Sequence, residues 1–120
     1  MQITVMENTG VAVVEDADGL IRSAQDALDL IATVWHVYQC QKMILPKSAL
    51  ADEFFDLKTG LAGEILQKYT NYRMKLAIVG DFSVYTSKAL RDFIYESNKG
   101  NQVLFLQTRA EALERLESLQ

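Results

Sequence analysis

Short apolar runs alternating with helical stripes constrain this chain most. Met43-Ile44-Leu45, Leu76-Ala77-Ile78-Val79 and Val103-Leu104-Phe105-Leu106 contain no polar residue, the pattern of strands covered on both faces. Between them, Leu61, Ile65, Tyr69 and Tyr72, and then Leu90, Phe93, Ile94 and Ser97, recur at helical spacing. Ala27, Leu28, Ile31, Val34, Trp35 and Tyr38 do the same within a helix predicted over about 24–39. Ser23-Ala24-Gln25-Asp26 opens that helix as a capping box, and Thr108-Arg109-Ala110-Glu111 opens a final one striped by Ala112, Leu113, Leu116 and Leu119. At the start, Ile3, Val5 and Val11 to Val14 flank Glu7-Asn8-Thr9-Gly10, which reads as a hairpin. Asp16 to Gly19 is a second turn, and Asn98-Lys99-Gly100 predicts a left-handed glycine ending the third helix.

The predicted order is β-β-α-β-α-β-α-β-α. It describes an α/β domain with a mostly parallel five-stranded sheet and an antiparallel edge strand, joined by right-handed crossovers.

The 120 residues correspond to one domain spanning 1–120, large enough for its own core. With 49% apolar and 23% charged residues, intrinsic disorder and disulfide-knotted scaffolds are excluded. Twelve basic against 16 acidic residues give a net charge of −4, the wrong sign for gripping nucleic acid by bulk charge. Cys40 is the only cysteine, which suits a reducing, cytoplasmic location. The opening residues lack a signal-peptide pattern, and no apolar run reaches the ~20 residues of a membrane span. The expectation is a cytoplasmic protein that contacts neither membrane nor nucleic acid and needs no cofactor or metal.

Function in parallel sheets gathers beyond the carboxyl ends of the strands. Here that rim comprises Pro46 to Thr59, Gly80 to Ser87, and Gln107-Thr108. Ser48 to Thr59 is expected to be a loop with a turn or two of helix. Asp52, Glu53, Asp56 and Asp81 gather carboxylates there. Such groups do acid–base work or hold a hard cation, or else form a solvated acidic edge. Thr59-Gly60-Leu61-Ala62-Gly63 is either an anion site at a helix start or an N-cap threonine before a thin helical turn. Phe54, Phe55, Phe82 and Tyr85 either face a partner or fold back over the open end of the sheet.

Other patterns carry less chemistry. His36 and Cys40 stand four apart on the predicted first helix but lack further ligands of their kind. Lys68, Tyr69, Tyr72, Arg73 and Lys75 mix bases with aromatics as a single-strand binder does, yet the two tyrosines continue a core stripe. Lys58-Thr59-Gly60 spells a β-lactamase box without its serine-lysine partner.

The stretches Phe54 to Lys68, Lys75 to Ser83 and Ser87 to Asn98 resemble a bacterial family catalogued as domain of unknown function forty-one eighty. That resemblance implies no established activity. In element order the chain is also similar to the STAS domain, the sulfate-transporter and anti-sigma-factor-antagonist module. STAS regulators place a phosphorylatable hydroxyl just before a glycine-thinned helix start. Their acid-serine-serine-glycine pattern is replaced here by Asp56-Leu57-Lys58-Thr59-Gly60. The STAS resemblance thus marks Thr59 as a candidate phosphorylation site.

Two functional expectations follow. One is a non-catalytic regulatory module binding a protein partner through rim loops 48–63 and 81–87. Its contact residues would be Asp52, Phe54, Phe55, Asp56, Lys58, Thr59, Gly60, Asp81, Phe82 and Ser83. The other is a small-molecule binding protein or modest enzyme, holding an anionic or apolar ligand between the Thr59 helix start and the 80–87 loop. A homodimer is compatible with either, since the edge strand needs covering.

Overall fold

The computed structural model describes residues 1–119. Within them β1 (Gln2–Met6), β2 (Val11–Glu15), β3 (Lys42–Pro46), β4 (Lys75–Val79) and β5 (Val103–Leu106) form one sheet, in the spatial order β1-β2-β3-β4-β5. β1 runs antiparallel to β2, in register from Gln2 opposite Glu15 to Met6 opposite Val11. The remaining neighbours are parallel. The hairpin turn places Asn8 and Gly10 at φ of 63° and 70°, the left-handed region that asparagine and glycine tolerate best.

The helices are α1 (Ala24–His36), α2 (Leu61–Asn71), α3 (Lys88–Lys99) and α4 (Arg109–Glu117). Ala27, Leu30, Ile31 and Val34 of α1, Ala62, Ile65 and Tyr69 of α2, and Leu90 of α3 share a core with Ala12, Met43, Leu45, Leu76, Ile78 and Phe105. α4 covers the opposite face, packing Ala112 and Leu116 against Val11, Val13, Ile44, Ala77 and Leu104. α1, α2 and α3 therefore lie on one face while the chain steps one strand at a time in one direction. All three crossovers must share a hand, as the twist of parallel strands demands.

Local chemistry sets the helix boundaries. Ser23 Oγ accepts from Asp26 N–H at 3.1 Å, and Asp26 Oδ2 accepts from Arg22 N–H at 2.9 Å. Thr108 caps α4 reciprocally: its hydroxyl accepts from Glu111 N–H and donates to the Glu111 carboxylate, both at 3.1 Å. Ser87 caps α3 through Leu90 N–H. The Tyr69 hydroxyl, fully buried, donates to Met43 Sδ at 3.2 Å and ties α2 to β3.

Several sequence expectations need correction. α1 stops at His36, short of 39, because the chain reverses at Gln39, whose φ is 56°. Cys40 therefore lies beyond the helix, buried, and does not share a helical face with exposed His36. Burial pushes the Cys40 thiol up, away from the thiolate form that reactive chemistry needs. Tyr72 leaves the core stripe of α2: it caps the helix and is 58% exposed. Gly100 is extended at φ −93°, so it is not a left-handed cap. The left-handed helix ends belong to Gln39 and to Arg73 at φ 55°. At the latter, Met74 N–H reaches Tyr69 C=O and Arg73 N–H reaches Thr70 C=O, the paired bonds of a Schellman ending.

The outer edge of β5 is closed by a side chain. Asn98, near the end of α3, donates its amide to Phe105 C=O at 3.0 Å and accepts from Phe105 N–H at 2.7 Å. It thus makes the two bonds that a neighbouring strand would make there. Arg115 of α4 donates to Asn98 C=O at 3.0 Å, so both faces of the sheet meet at this residue.

Candidate functional site

Because β2 to β5 are parallel, their carboxyl ends open on one rim. Three connections build it. The segment after β3 is a chain of 3₁₀ turns, Lys47–Ala49, Asp52–Phe55 and Leu57–Thr59, where a loop with a turn or two of helix is the expectation. The turn after β2 pairs with it: Gly19 N–H reaches Ser48 C=O at 2.8 Å, Ile21 N–H reaches Ala49 C=O at 2.8 Å, and Ala51 N–H returns to Ile21 C=O at 3.0 Å. The loop after β4, residues 80–87, completes the rim.

Phe54 and Phe55 point inward, with 0% and 7% of their surface exposed. Phe55 stacks on Tyr85 at 5.0 Å between ring centroids and 15° between planes. Phe54 meets Phe55 edge-on at 4.9 Å, and Phe82 meets Phe105 of β5 edge-on at 5.4 Å. Stacked and edge-on rings each add about 0.5–1.5 kcal/mol beyond area burial. The aromatics therefore fold back over the sheet and join the 52–59 and 80–87 segments into one surface.

Lys47, in the first turn after β3, reaches across to the 80–87 loop. Its Nζ donates to Asp81 C=O at 2.9 Å and lies 4.6 Å from the Tyr85 ring centroid. Its path requires Gly80, where an added Cβ would stand 2.6 Å from Lys47 Cβ. We expect Gly80→Ala to cost about 3 kcal/mol, the upper range for overpacking, because Lys47 Cβ is fixed to its own backbone and no change of rotamer relieves the contact. Chemical denaturation measures this, and loss of ring-current shifts on the Lys47 methylenes would report the displaced side chain.

The predicted polar residues occupy the outer margin. Asp52, Asp56, Lys58, Thr59, Gly60, Asp81 and Ser83 are exposed, and Phe82 is half-buried. Asp56 Oδ1 accepts from Lys58 N–H. Asp81 Oδ1 accepts from the Ser83 hydroxyl at 2.6 Å and from Ser83 N–H at 2.9 Å. The Ser83 hydroxyl, then its N–H, hold the Asp81 carboxyl below its ordinary range, with burial opposing and Lys47 adding a smaller pull. A depressed carboxyl stabilises its turn at neutral pH, and the contribution disappears as pH falls through the folded-state pKa. Carboxyl-carbon NMR titration is expected to find Asp81 protonating below the ordinary aspartate value, and Ser83→Ala to move it back up.

The Thr59 hydroxyl is committed locally. It lies 2.8 Å from Glu53 C=O and from Asp56 C=O, to which it donates, and it accepts from Leu61 N–H at 3.2 Å. The α2 N-cap is Gly60, in the left-handed conformation at φ 78°, and not Thr59. Glycine, with no Cβ, takes that turn without strain.

Two adjoining clefts open on the rim. One of about 580 Å³ lies between the loops and is lined by Lys47, Asp52, Phe55, Gly80 and Tyr85. Thr59 does not line it. The second, about 650 Å³, lies over the ends of β2 and β3 and includes Glu15, Asp16, Asp18 and Arg109. Arg109 pairs with Glu15 at 3.2 Å; such exposed pairs contribute at most ~1 kcal/mol. Sequence reading missed the 16–22 segment, although β2 is itself one of the parallel strands whose carboxyl ends define the rim. Among the described residues, no group of three or more His, Cys, Asp or Glu comes together to hold a metal ion, and no helix is long and apolar enough to cross a membrane.

The profile of the family described as Domain of unknown function (DUF4180) matches residues 6–116. No curated protein and no solved structure matches the chain.

Proposed function

The chain belongs to the DUF4180 family, and from that premise and the rim geometry we propose that it is a STAS-like regulatory module that binds a protein partner without catalysis. The observation that carries this reading is the aromatic stack of Phe55 on Tyr85. It fixes two separate loops as one preformed surface, which lowers the ordering cost of association. The outward tips of that surface are Asp52, Glu53, Asp56, Lys58, Asp81, Ser83 and Val84. Acids outnumber bases there, so the partner presents a basic face. Val84, 61% exposed, offers an apolar contact at the centre of the second loop.

Thr59 gives this surface a control point. A phosphoryl group there would replace a hydroxyl bound to two backbone carbonyls and set a dianion beside Asp56. The 53–60 turn would have to reorganise, and partner affinity would change with it.

The cleft of about 580 Å³ between the loops favours a second reading, a small-molecule binding protein or modest enzyme. Native mass spectrometry of protein purified from its own host separates the two. A complex with a second polypeptide, weakened by Asp52→Lys with Glu53→Lys, is the expected result. A small mass released on gentle activation would favour the cleft instead.

A further inference from the structure

We propose that a cleft running along α1 to the carboxyl ends of α1 and α2 binds a small organic cation with an apolar body. The cleft holds about 590 Å³ and is lined by Leu28, Asp29, Ala32 and Trp35 of α1 and by Tyr72 and Arg73 at the end of α2. It goes beyond the rim reading and shares no residue with it.

The aromatic content of the cleft is the first argument. α1 buries Ala27, Leu30, Ile31 and Val34 against the sheet. Trp35 lies outside that stripe and is 44% exposed, and Tyr72 across the cleft is 58% exposed. Ala32, also on the lining, has a side chain too short to fill the cleft. Aromatic faces carry negative potential and attract cations within about 6 Å, alkylammonium groups among them.

Helix polarity is the second argument. His36 and Asn71, the last residues of α1 and α2, both line this cleft. Each helix end contributes roughly half a negative charge, which favours a cation within the last turn. Asp29, near the middle of α1, adds a carboxylate farther along the same wall, steadied by Gln25 Nε2 at 2.9 Å. Arg73 and His36 are the basic groups on the lining, and the Arg73 charge balances that of Asp29. Selection for a cation therefore rests on the two rings and the two helix ends together.

Trp35 is the only tryptophan in the chain, so its emission reports this cleft without a label. The test titrates the intact protein, at constant ionic strength, with tetramethylammonium, choline and arginine methyl ester. The uncharged isostere 3,3-dimethylbutan-1-ol serves as control. The expected result is a saturable change in Trp35 emission with at least one cation, roughly tenfold weaker binding of the isostere, and several-fold weaker cation binding in Tyr72→Leu. Tyr72 is exposed at a helix end, so that variant keeps the fold, and an unchanged melting temperature checks it. No saturable response to any cation, equal affinity for the isostere, or undiminished binding by Tyr72→Leu would each overturn the proposal.

Discussion

Phe54→Ala is expected to lower the unfolding free energy by about 3–5 kcal/mol, the usual cost of truncating a fully buried aromatic ring. Phe54 is completely buried although it sits in a connecting segment. Its ring packs edge-on against Phe55, which in turn stacks on Tyr85. Truncation leaves a cavity beneath the 3₁₀ turns and removes the support for that stack. The damage is therefore expected in two measurements. Urea denaturation reads the loss of global stability. Hydrogen exchange reads faster opening of residues 52–59 and 80–87 than of β3 and β4, since segments with fewer buried contacts open first. Uniform acceleration across the chain would show that the rim is not a separately supported unit.

Asn98→Ala is expected to cost about 2–4 kcal/mol, because it leaves the N–H and C=O of buried Phe105 without partners, at ~1–3 kcal/mol each. The substituted helix position itself tolerates alanine, so the loss belongs to the hydrogen bonds. Asn98→Asp keeps the acceptor for Phe105 N–H but turns a carboxylate oxygen toward Phe105 C=O in place of the amide donor. At neutral pH that repulsion should leave it no more stable than the alanine variant. The bared edge of β5 also becomes a template for another strand. Concentration-dependent self-association of Asn98→Ala in sedimentation checks that consequence.

The alternation of apolar strands with helical stripes was enough to read the element order and the parallel sheet. Strands such as Leu76 to Val79 show it plainly, because burial on both faces leaves no polar residue. The last turns of helices were harder. Tyr72 fits the stripe of α2 by spacing, yet Arg73 takes a left-handed conformation that turns the chain and leaves Tyr72 outside. No glycine announces that turn, and glycine is the signal a reader relies on.

The candidate site was legible by place more than by contact. Parallel topology directs attention to the carboxyl ends of the strands, and the acids and aromatics of 52–56 and 81–85 lie there. The direction of the aromatic rings was not legible. A Phe-Phe pair in an acidic loop reads equally as a lid or an exposed patch, and the difference lies in long-range partners such as Tyr85 and Phe105. The pairing of the 16–22 turn with Ser48 to Ala51 was likewise hidden. It consists of backbone bonds, which leave no trace in side-chain pattern.

Site-specific photo-crosslinking in the native host tests the central claim most directly. A photoreactive residue is placed singly at Asp52, Lys58 and Val84 on the rim, and at exposed Asp92 and Glu114 on α3 and α4 as controls. The account predicts that the rim positions capture one common polypeptide, that the controls do not, and that Asp56→Lys with Asp81→Lys diminishes the capture. Capture of that polypeptide from the control positions alone, or none from any rim position, would contradict it.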